Sequence, residues 1–567
     1  MGDNENRKVY KARQVKNYRE MVEYSCKNYA QNIAYKYKKD YTAKNVEYIE
    51  KTYEQVGKDI KAFGTGLLNL DLMGERIVVV GKNRYEWCIS YLATTCSNMV
   101  IVPIDKALPD IEMQRLIERS EAKAIIFDEK YLETIKKVQE KENSNLKTLI
   151  CMDNIQEKGI KTFNEILEEG RNQIKNGDQK YDNIEIDENK MSIMLFTSGT
   201  TNEPKAVMLS QANICANISN IACWVKLYPT DVLLSFLPIH HTFECTITFL
   251  YGFYSGSQVA FCDGLKHIQQ NLKEYKVSVF VAVPLVLETM YKKIQKAIEE
   301  QGKTGLIKKM TKISNTLLKA KIDIRKIVFK QILDNFGGHL RVVLYGAAPM
   351  NKATIIGYNN LGISLVQGYG LTETSPVVTA ETDKEKRPGS IGLALANLNL
   401  KIANPDNEGV GEITVKGPSV MLGYYKNPEE TKKVLKDGWF STGDYGYKDK
   451  DGFVYITGRK KDIIVLKNGK NVYPQEIEFL INKIPYIAES LVYSRDKDTT
   501  DTMLCAKIVY DKDAIKQMIG EKTEEEYKEI IWQEIKKINQ ELPIFKKIKN
   551  ITITTEPLKK TTTQKVK

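Results

Sequence analysis

RIVVVG (residues 76–81) begins a series of short apolar runs that decide the class of fold. Each run is bounded by Gly, Pro or charged residues, and the others are NMVIVP (98–103), AIIF (124–127), KTLICM (147–152), IMLFT (193–197), VFVAVP (279–284) and LRVVLYG (340–346). Such runs, separated by amphipathic helical patterns, are typical of buried strands in a largely parallel sheet. The sequence therefore predicts an α/β fold.

The length of 567 residues indicates more than one domain. We predict a large N-terminal domain, residues 1–458, with parallel-rich sheets flanked by helices. Short strand and turn patterns, such as GEITVKG and KDGFVYITG, predict a β-rich subdomain at about 389–457 within it. The remaining residues, 459–567, mix strand and helix patterns and are predicted to form a small α+β C-terminal domain.

Composition restricts the class of protein. There are 84 basic and 72 acidic residues, a net charge of +12 that favours small anionic ligands or an anionic membrane over nucleic acid as partner. The nine cysteines form no CxxC pair, which argues against a zinc site or disulfide framework and favours the reducing cytoplasm. The first residues, MGDNENRKVYKARQ, lack the apolar core of a signal peptide. We expect a cytoplasmic protein.

Two further stretches bear on membranes. The most apolar one, residues 232–262, contains Pro238, His240, His241 and Glu244, so we expect a buried core segment rather than a bilayer span. Residues 291–330 have a long helical pattern with twelve basic and three acidic residues. This window is either a solvated helical face or a peripheral contact with anionic lipid headgroups.

The sharpest local motif is TSGTTNEPKAV (197–207), directly after the strand-like IMLF. A tight loop with glycine, hydroxyls and a lysine supplies the N–H groups, side-chain donors and positive charge that a polyphosphate requires. It is neither a Walker A loop nor a dinucleotide fingerprint, since their glycine spacings are missing. The alternative is a plain Ser/Thr-rich turn.

Further motifs follow this loop in order. They are LYGAAPM (344–350), QGYGLTETSP (367–376), STGDYG (441–446), YITGRKKDIIVLKNGKNVYPQEIE (455–478) and KKTTTQKVK (559–567). Together with the loop they resemble the signatures of the adenylate-forming superfamily, which includes acyl-CoA synthetases, luciferase and peptide-synthetase adenylation domains. Asn202 and Ala206 depart from that pattern, because the family usually has glycine at both positions. The resemblance covers nearly the whole chain and implies an enzyme that binds ATP.

The resemblance assigns the nucleotide site. Tyr369 would stack on adenine, Thr372 would donate to the α-phosphate, and Glu373 would hold Mg²⁺, with Thr197 as a second metal ligand. Asp444 would accept from the ribose hydroxyls, and Arg459 would also reach the ribose. The other expected contacts with the nucleotide or coenzyme A are Ser198, Gly199, Thr200, Thr201, Lys205, Gly346, Ala347, Ala348, Gly368, Gly370, Ile456, Lys467 and Gly469. Considered singly, Tyr369 could be a core aromatic and STGD a plain turn.

Two lysines are expected to serve a mobile C-terminal domain that swings between two poses, one as a catalytic group in the first pose and one as the hinge. Lys565 matches the terminal lysine that would offset negative charge as pyrophosphate leaves. Lys461 matches the hinge about which the domain would swing, so that residues 467–471 line a channel for a thiol. A frayed basic tail and a solvated lysine are the respective alternatives.

The acyl side is expected near LPIHHTFECT (237–246), which resembles the corresponding segment of fatty acyl members and would place His241 at the substrate wall. A core histidine is the alternative. VPIDKALP (102–109) also resembles long-chain enzymes. The sequence thus predicts an AMP-forming ligase of ATP, a long-chain fatty acid and coenzyme A. A carrier-protein ligase and a non-catalytic ATP-binding scaffold are the alternatives.

Overall fold

The computed structural model describes residue 4 and residues 7–40, 46–197, 203–466, 471–496 and 502–558. Backbone contacts divide the chain into two compact units. The first comprises Met1–Leu400 with Val415–Phe440, and the second comprises Lys401–Thr414 with Ser441–Lys567. The second unit thus takes in part of the segment expected to be rich in strands. The boundary between domains 1–458 and 459–567 stays a prediction.

Helices and strands alternate along most of the described chain. The strands are β1 (Ile33–Lys38), β2 (Tyr48–Thr52), β3 (Arg76–Val80), β4 (Val100–Pro103), β5 (Ala124–Phe127), β6 (Thr148–Cys151), β7 (Lys161–Thr162), β8 (Met191–Thr197), β9 (Lys205–Ser210), β10 (Val232–Ser235), β11 (Gln258–Phe261), β12 (Val279–Ala282), β13 (Val342–Tyr345), β14 (Ser364–Gly370), β15 (Val377–Ala380), β16 (Leu393–Ala394), β17 (Asn399–Ala403), β18 (Gly411–Lys416), β19 (Gly423–Tyr424), β20 (Leu435–Lys436), β21 (Trp439–Lys448), β22 (Val454–Arg459), β23 (Ile464–Val465), β24 (Asn471–Val472), β25 (Ile487–Asp496), β26 (Thr502–Tyr510) and β27 (Asn550–Thr554). The α-helices are α1 (Tyr18–Asn28), α2 (Tyr53–Leu68), α3 (Tyr85–Cys96), α4 (Asp110–Ser120), α5 (Leu132–Gln139), α6 (Phe163–Lys175), α7 (Gln211–Trp224), α8 (Gly252–Tyr254), α9 (Ile268–Glu274), α10 (Pro284–Glu300), α11 (Thr304–Lys319), α12 (Arg325–Val328), α13 (Lys330–Leu333), α14 (Lys352–Asn360), α15 (Pro428–Val434), α16 (Pro474–Ile481), α17 (Lys512–Ile519) and α18 (Glu524–Glu541).

An eight-stranded sheet contains the run that opened the sequence. Its strand order is β19-β9-β8-β4-β3-β5-β6-β7. Strand β3 pairs in parallel with β4 and β5, and the residues of β4 and β5 are buried throughout, as fully apolar strands between helical layers should be. Strands β8 and β9 instead form an antiparallel pair. The predicted α/β class is confirmed.

A nine-stranded sheet, in the order β16-β15-β14-β13-β12-β10-β11-β1-β2, positions most of the site. Strands β10, β12, β13 and β14 pair in parallel, so their carboxyl ends lie at one edge of the sheet. Ligands of open α/β sheets bind at that edge. The chain leaves β10, β13 and β14 at that edge, within or just before the motifs at 237–246, 344–350 and 367–376.

Helix α7 connects the two sheets. It begins where β9 ends, with a capping box in which Ser210 and Asn213 satisfy each other's backbone N–H groups. Farther along, the Asn217 amide donates to the Val377 carbonyl at 2.7 Å and accepts from the Val377 N–H at 3.2 Å. These bonds fix the β8–β9 hairpin relative to the nine-stranded sheet.

The apolar stretch 232–262 is a core segment, as expected. It contains β10, a π-helical turn Glu244–Tyr251, α8 and β11, and every residue of the π-helical turn is buried. Among the described residues, none of the helices combines the length and the apolar character needed to cross a bilayer. All nine cysteines have free thiols.

The second unit has its own core. Strands β25, β26 and β27 form a three-stranded sheet, against which α16 and α18 bury Ile477, Ile531 and Ile535. Strands β21 and β22 form an antiparallel hairpin. A mixed α+β structure for the C-terminal segment agrees with the sequence pattern.

Candidate functional site

The motifs LYGAAPM and QGYGLTE lie side by side because β13 and β14 are parallel neighbours. Tyr345 is paired in register with Gln367, and its hydroxyl donates to the Gln367 side chain at 2.9 Å. A Cβ added to Gly346 would lie 2.6 Å from the carbonyl oxygen of Gly368, so glycine is required at this close approach. Ala347 and Ala348 follow at the exposed edge.

The turn after β14 holds two expected catalytic residues. Thr372 and Glu373 begin a short 3-10 helix, Thr372–Thr374. A Cβ on Gly370 would lie 1.8 Å from the Pro376 carbonyl oxygen, and the Leu371 N–H donates to that same oxygen at 3.0 Å. The tight turn therefore fixes the backbone of both residues. Tyr369 just before it is half-buried, not a fully buried core aromatic.

Glu373 is held by residues in and just before β19, the edge strand of the eight-stranded sheet. The Tyr424 hydroxyl donates to Oε1 of Glu373 at 2.9 Å, and the backbone oxygen of Glu373 accepts from the Met421 N–H at 2.9 Å. Burial and the adjacent carboxylate raise the pKa of Tyr424 well above its ordinary value, so the phenol remains a donor. The two hydrogen bonds orient the Glu373 carboxyl group and fix its backbone at the sheet edge.

Residues 237–246, the predicted acyl segment, contact the turn after β14 that contains Thr372 and Glu373. The hydroxyl oxygens of Thr242 and Thr372 are 3.5 Å apart, and Thr242 is buried. His241 beside it is exposed, and its Nδ1 accepts from the Phe243 N–H at 3.2 Å, which argues against a core role. His240 lies 3.8 Å from Asp105, and burial lowers its pKa although that carboxylate opposes the shift.

A small cavity adjoins this contact. It has a volume of about 10 Å³, room for about one water molecule, and its lining combines apolar and polar side chains. The lining residues are Tyr91, Pro103, Ile193, Leu195, Ile214, His240, Thr242, Cys245 and Thr246. Both segments that resemble long-chain enzymes, 102–109 and 237–246, contribute to it.

The two residues that flank the predicted phosphate loop belong to the β8–β9 hairpin, since β8 ends at Thr197 and β9 begins at Lys205. Thr197 pairs in register with Lys205, and its hydroxyl lies 3.5 Å from the Lys205 carbonyl oxygen. Ser198, Gly199, Thr200 and Thr201, with the departure at Asn202, lie outside the described residues. The other departure, Ala206, is buried and packs in the core of the eight-stranded sheet. Its methyl group is therefore accommodated.

Lys205 is engaged by two residues that the sequence did not indicate. Its Nζ lies 2.6 Å from Oε2 of Glu430, on α15, and 4.9 Å from the centre of the Tyr424 ring. Hydrogen bonds from Lys205 and then from Lys433 lower the pKa of Glu430 to about 2. Tyr424 thus bridges Lys205 and Glu373. The available signal was an acidic first turn after Pro428, a weak one by itself.

Comparison with known proteins assigns the family. The family model described as AMP-binding enzyme matches residues 22–425, and the model of the AMP-binding enzyme C-terminal domain matches residues 461–567. The chain belongs to the AMP-binding enzyme family. This confirms the predicted membership of the adenylate-forming superfamily. It also confirms the prediction that the protein is an enzyme.

Several relatives of this AMP-binding enzyme are fatty acid ligases. Mouse long-chain-fatty-acid–CoA ligase 6 is 30% identical over 498 residues, covering 82% of this chain and 70% of the relative. A chloroplastic long-chain-fatty-acid–[acyl-carrier-protein] ligase of Arabidopsis thaliana is 28% identical, covering 86% and 76%. The crystal structure of ATP-bound MatB from Rhodopseudomonas palustris matches with a TM-score of 0.74 at 23% identity, covering 97% of each chain. That likeness supports the fold.

The second unit of the AMP-binding enzyme carries the expected ribose residues. Asp444 and Arg459 are register partners across the β21–β22 hairpin, and Arg459 Nε lies 3.3 Å from Asp444 Oδ1. Asp444 is buried, whereas Ile456 and Lys461 are exposed. Lys467, Gly469 and Lys565 lie outside the described residues. The ribose and hinge roles stay predictions.

Proposed function

We propose that this AMP-binding enzyme is a long-chain fatty acyl-CoA synthetase. It activates a fatty acid with ATP to an acyl-adenylate, releases pyrophosphate, and transfers the acyl group to coenzyme A. The observation that carries the proposal is the contact between Thr242 of the acyl segment and Thr372 of the nucleotide motif, next to the oriented Glu373. An acid and an α-phosphate that both bind at this point would meet.

In the first half-reaction a carboxylate oxygen of the fatty acid bonds to the α-phosphorus. The bond from that phosphorus to the bridging oxygen breaks, and pyrophosphate leaves with its electron pair. Thr372 donates to the α-phosphate, and Lys565 offsets the charge that develops on the leaving group. Lys205 turns from Glu430 towards the phosphates, because they offer more negative charge than one carboxylate.

Mg²⁺ is part of the proposal. Glu373 is the residue that would hold it, with Thr197 as the second predicted ligand, and the ion would neutralise phosphate charge. Among the described residues no three His, Cys, Asp or Glu side chains form a cluster that could hold a metal by themselves. This donor set suits Mg²⁺, which binds through one or two carboxylates together with substrate phosphates rather than in an all-protein cage.

In the second half-reaction the thiolate of coenzyme A attacks the acyl carbonyl, and AMP leaves as the carbon–oxygen bond breaks. A carboxylate alone has no such leaving group. We infer that rotation about Lys461 removes Lys565 and brings residues 467–471 to the thiol channel. Burial of the adenylate, with movement of the domain before coenzyme A is admitted, protects the anhydride from water.

The acid and acceptor are tested together. We expect AMP release to rise from acetate to oleate when a panel of acids is supplied with ATP, Mg²⁺ and coenzyme A. Acetate preferred over oleate would contradict the long-chain assignment. Replacing coenzyme A by a phosphopantetheinylated carrier protein tests the second candidate, which the name of the Arabidopsis relative favours; faster transfer to that protein would make the chain a carrier-protein ligase.

The predicted location is the cytoplasm, with contact between residues 291–330 and an anionic membrane. Both remain proposals. The charge of the window supports the second, because a net charge of +9 of the whole chain's +12 lies there.

A further inference from the structure

Helix α11 presents a charged face that no other part of the described chain neutralises. Lys308, Lys309 and Lys312 are exposed. Elsewhere in residues 291–330, Lys296, Arg325 and Lys330 pair with Glu300, Asp323 and Asp334. Within the described residues, by contrast, no ion pair involves Lys308, Lys309 or Lys312. Their charge is available to an external partner.

The opposite side of α11 is fixed to the fold. Ser314 is fully buried, and the Asn315 side chain donates to the Asn360 side chain, at the end of α14, at 2.9 Å. With 3.6 residues per turn, Lys309 and Lys312 project from the side of the helix opposite Ser314, and Lys308 lies at the flank of that side, one turn before Lys312. The outward direction of the lysines is therefore set by the inner contacts of the helix.

Two aliphatic side chains lie beside the lysines. Leu306 is 53% exposed and Ile313 is 42% exposed. They are seven residues apart, which is about two turns, so they follow one line along the helix next to Lys309. Exposed aliphatic residues in a line carry a cost in water that a partner with an apolar layer removes.

A row of lysines beside a row of aliphatic side chains matches one kind of surface. An anionic bilayer offers charged headgroups above hydrocarbon, and amphipathic helices lie at that boundary with their apolar side chains inserted. RNA would use the lysines but leave Leu306 and Ile313 in water. The combination of the two rows therefore favours lipid.

We propose that α11 is a peripheral docking helix for anionic membranes, with Lys308, Lys309 and Lys312 at the headgroups and Leu306 and Ile313 at the acyl boundary. Its purpose rests on the proposed function, since a long-chain acid partitions into the bilayer from which the enzyme would take it. The binding itself is independent of the chemistry at Glu373.

Cosedimentation of the full chain with vesicles tests the proposal. The vesicles contain phosphatidylcholine alone or with 30% phosphatidylglycerol, and salt is varied from 50 to 500 mM. We expect binding only to the anionic vesicles, falling steeply with salt. Changing Lys308, Lys309 and Lys312 to Gln should weaken it about 100-fold, at roughly fivefold per lysine near the surface. Lys-to-Arg changes at the same positions should preserve it.

Matched variants test whether binding depends on this face of α11 or only on the total charge of the protein. Lys137→Gln, Lys147→Gln and Lys158→Gln remove the same charge from exposed positions elsewhere and should leave binding within about twofold. Leu306→Ser with Ile313→Ser should weaken binding even with all lysines present. Thermal unfolding of each variant confirms that it is folded.

The outcomes distinguish this proposal from the proposed function. Equal loss in both Lys-to-Gln triples, no effect of the Leu306 and Ile313 changes, or tighter binding to single-stranded RNA than to anionic vesicles would overturn the docking helix. AMP release from oleate, supplied without vesicles, should be unchanged in every α11 variant. Absence of that activity in the unaltered chain would instead count against the proposed function.

Discussion

Two glutamates of the first unit show how differently the fold treats the same carboxyl group. Glu430 lies on α15 with Lys205 2.6 Å away and Lys433 in contact, and its pKa falls to about 2. Glu244 lies in the π-helical turn with none of its surface exposed, and burial raises its pKa to about 8. Hydrogen bonds from Ser235, Thr248 and the Phe236 backbone only partly offset that rise.

Glu430 is a carboxylate that pairs with cations, whereas Glu244 is an uncharged side chain packed in the core. At neutral pH Glu430 is an anion that holds Lys205, the lysine proposed to bind phosphate, whereas Glu244 is a neutral acid in the segment proposed to bind the acyl chain. A carboxylate can stay charged where cations supply the compensation that water no longer gives. Glu373 is a third carboxyl group of the first unit, and its described side-chain partner is a phenol.

The largest expected effect concerns the buried acid. Native Glu244 keeps its proton up to about pH 8, whereas the unfolded chain releases it above its ordinary pKa of 4.5, so rising pH favours unfolding. We expect the free energy of unfolding to fall by about 3 kcal/mol between pH 5 and pH 8 relative to Glu244→Gln. Denaturant titrations of both proteins measure this difference. A constant difference across that range would show that Glu244 is charged in the native state.

Glu373→Gln asks whether the third carboxylate works by its charge. Glutamine keeps the shape and can still accept from Tyr424, but it loses the anion, so we expect fatty acid-dependent AMP release to fall about 100-fold. Tyr424→Phe is the matched control, since it removes only the hydroxyl, and a loss of less than about tenfold is expected. Full activity of Glu373→Gln would remove Glu373 from the catalytic residues.

The smallest effect is expected for Glu430→Gln. Because the ion pair with Lys205 is partly exposed, its loss should change the affinity for ATP only modestly. ATP should bind about threefold more tightly, since its phosphates no longer compete with the Glu430 carboxylate for Lys205. Calorimetric titration with a non-hydrolysable ATP analogue measures the affinity. Weaker binding would instead show that Glu430 positions Lys205 for the nucleotide.

The same contrast explains what the sequence could predict. Runs such as RIVVVG and AIIF have the length and apolar character of buried strands, so the α/β class followed from them. Lys205 was predicted as a phosphate ligand because its loop has a local phosphate-binding composition, and that role stays a prediction. Glu430 was not, since its contact spans 225 residues and depends on β19 pairing with β9. Distant contacts of that kind leave no local pattern.

Glu244 illustrates the other limit. The sequence showed it as an interruption of an apolar stretch, which correctly argued against a bilayer span. Its neutral state depends on complete burial by surrounding elements, and the π-helical turn that buries it has no sequence rule comparable to an N-cap or a glycine turn. Asp444 and Arg459 were assigned by resemblance, while their pairing became visible only in the hairpin register.

Fatty acid-dependent exchange of labelled pyrophosphate into ATP tests the central claim most directly, because it follows adenylate formation without coenzyme A. We predict exchange with oleate, none without an acid, and loss of at least about 100-fold in Lys565→Ala but not in Lys567→Ala. The Lys565→Ala protein should still form thioester from preformed acyl-AMP. Exchange that is absent with every acid, or equal with and without one, would contradict adenylation at this site.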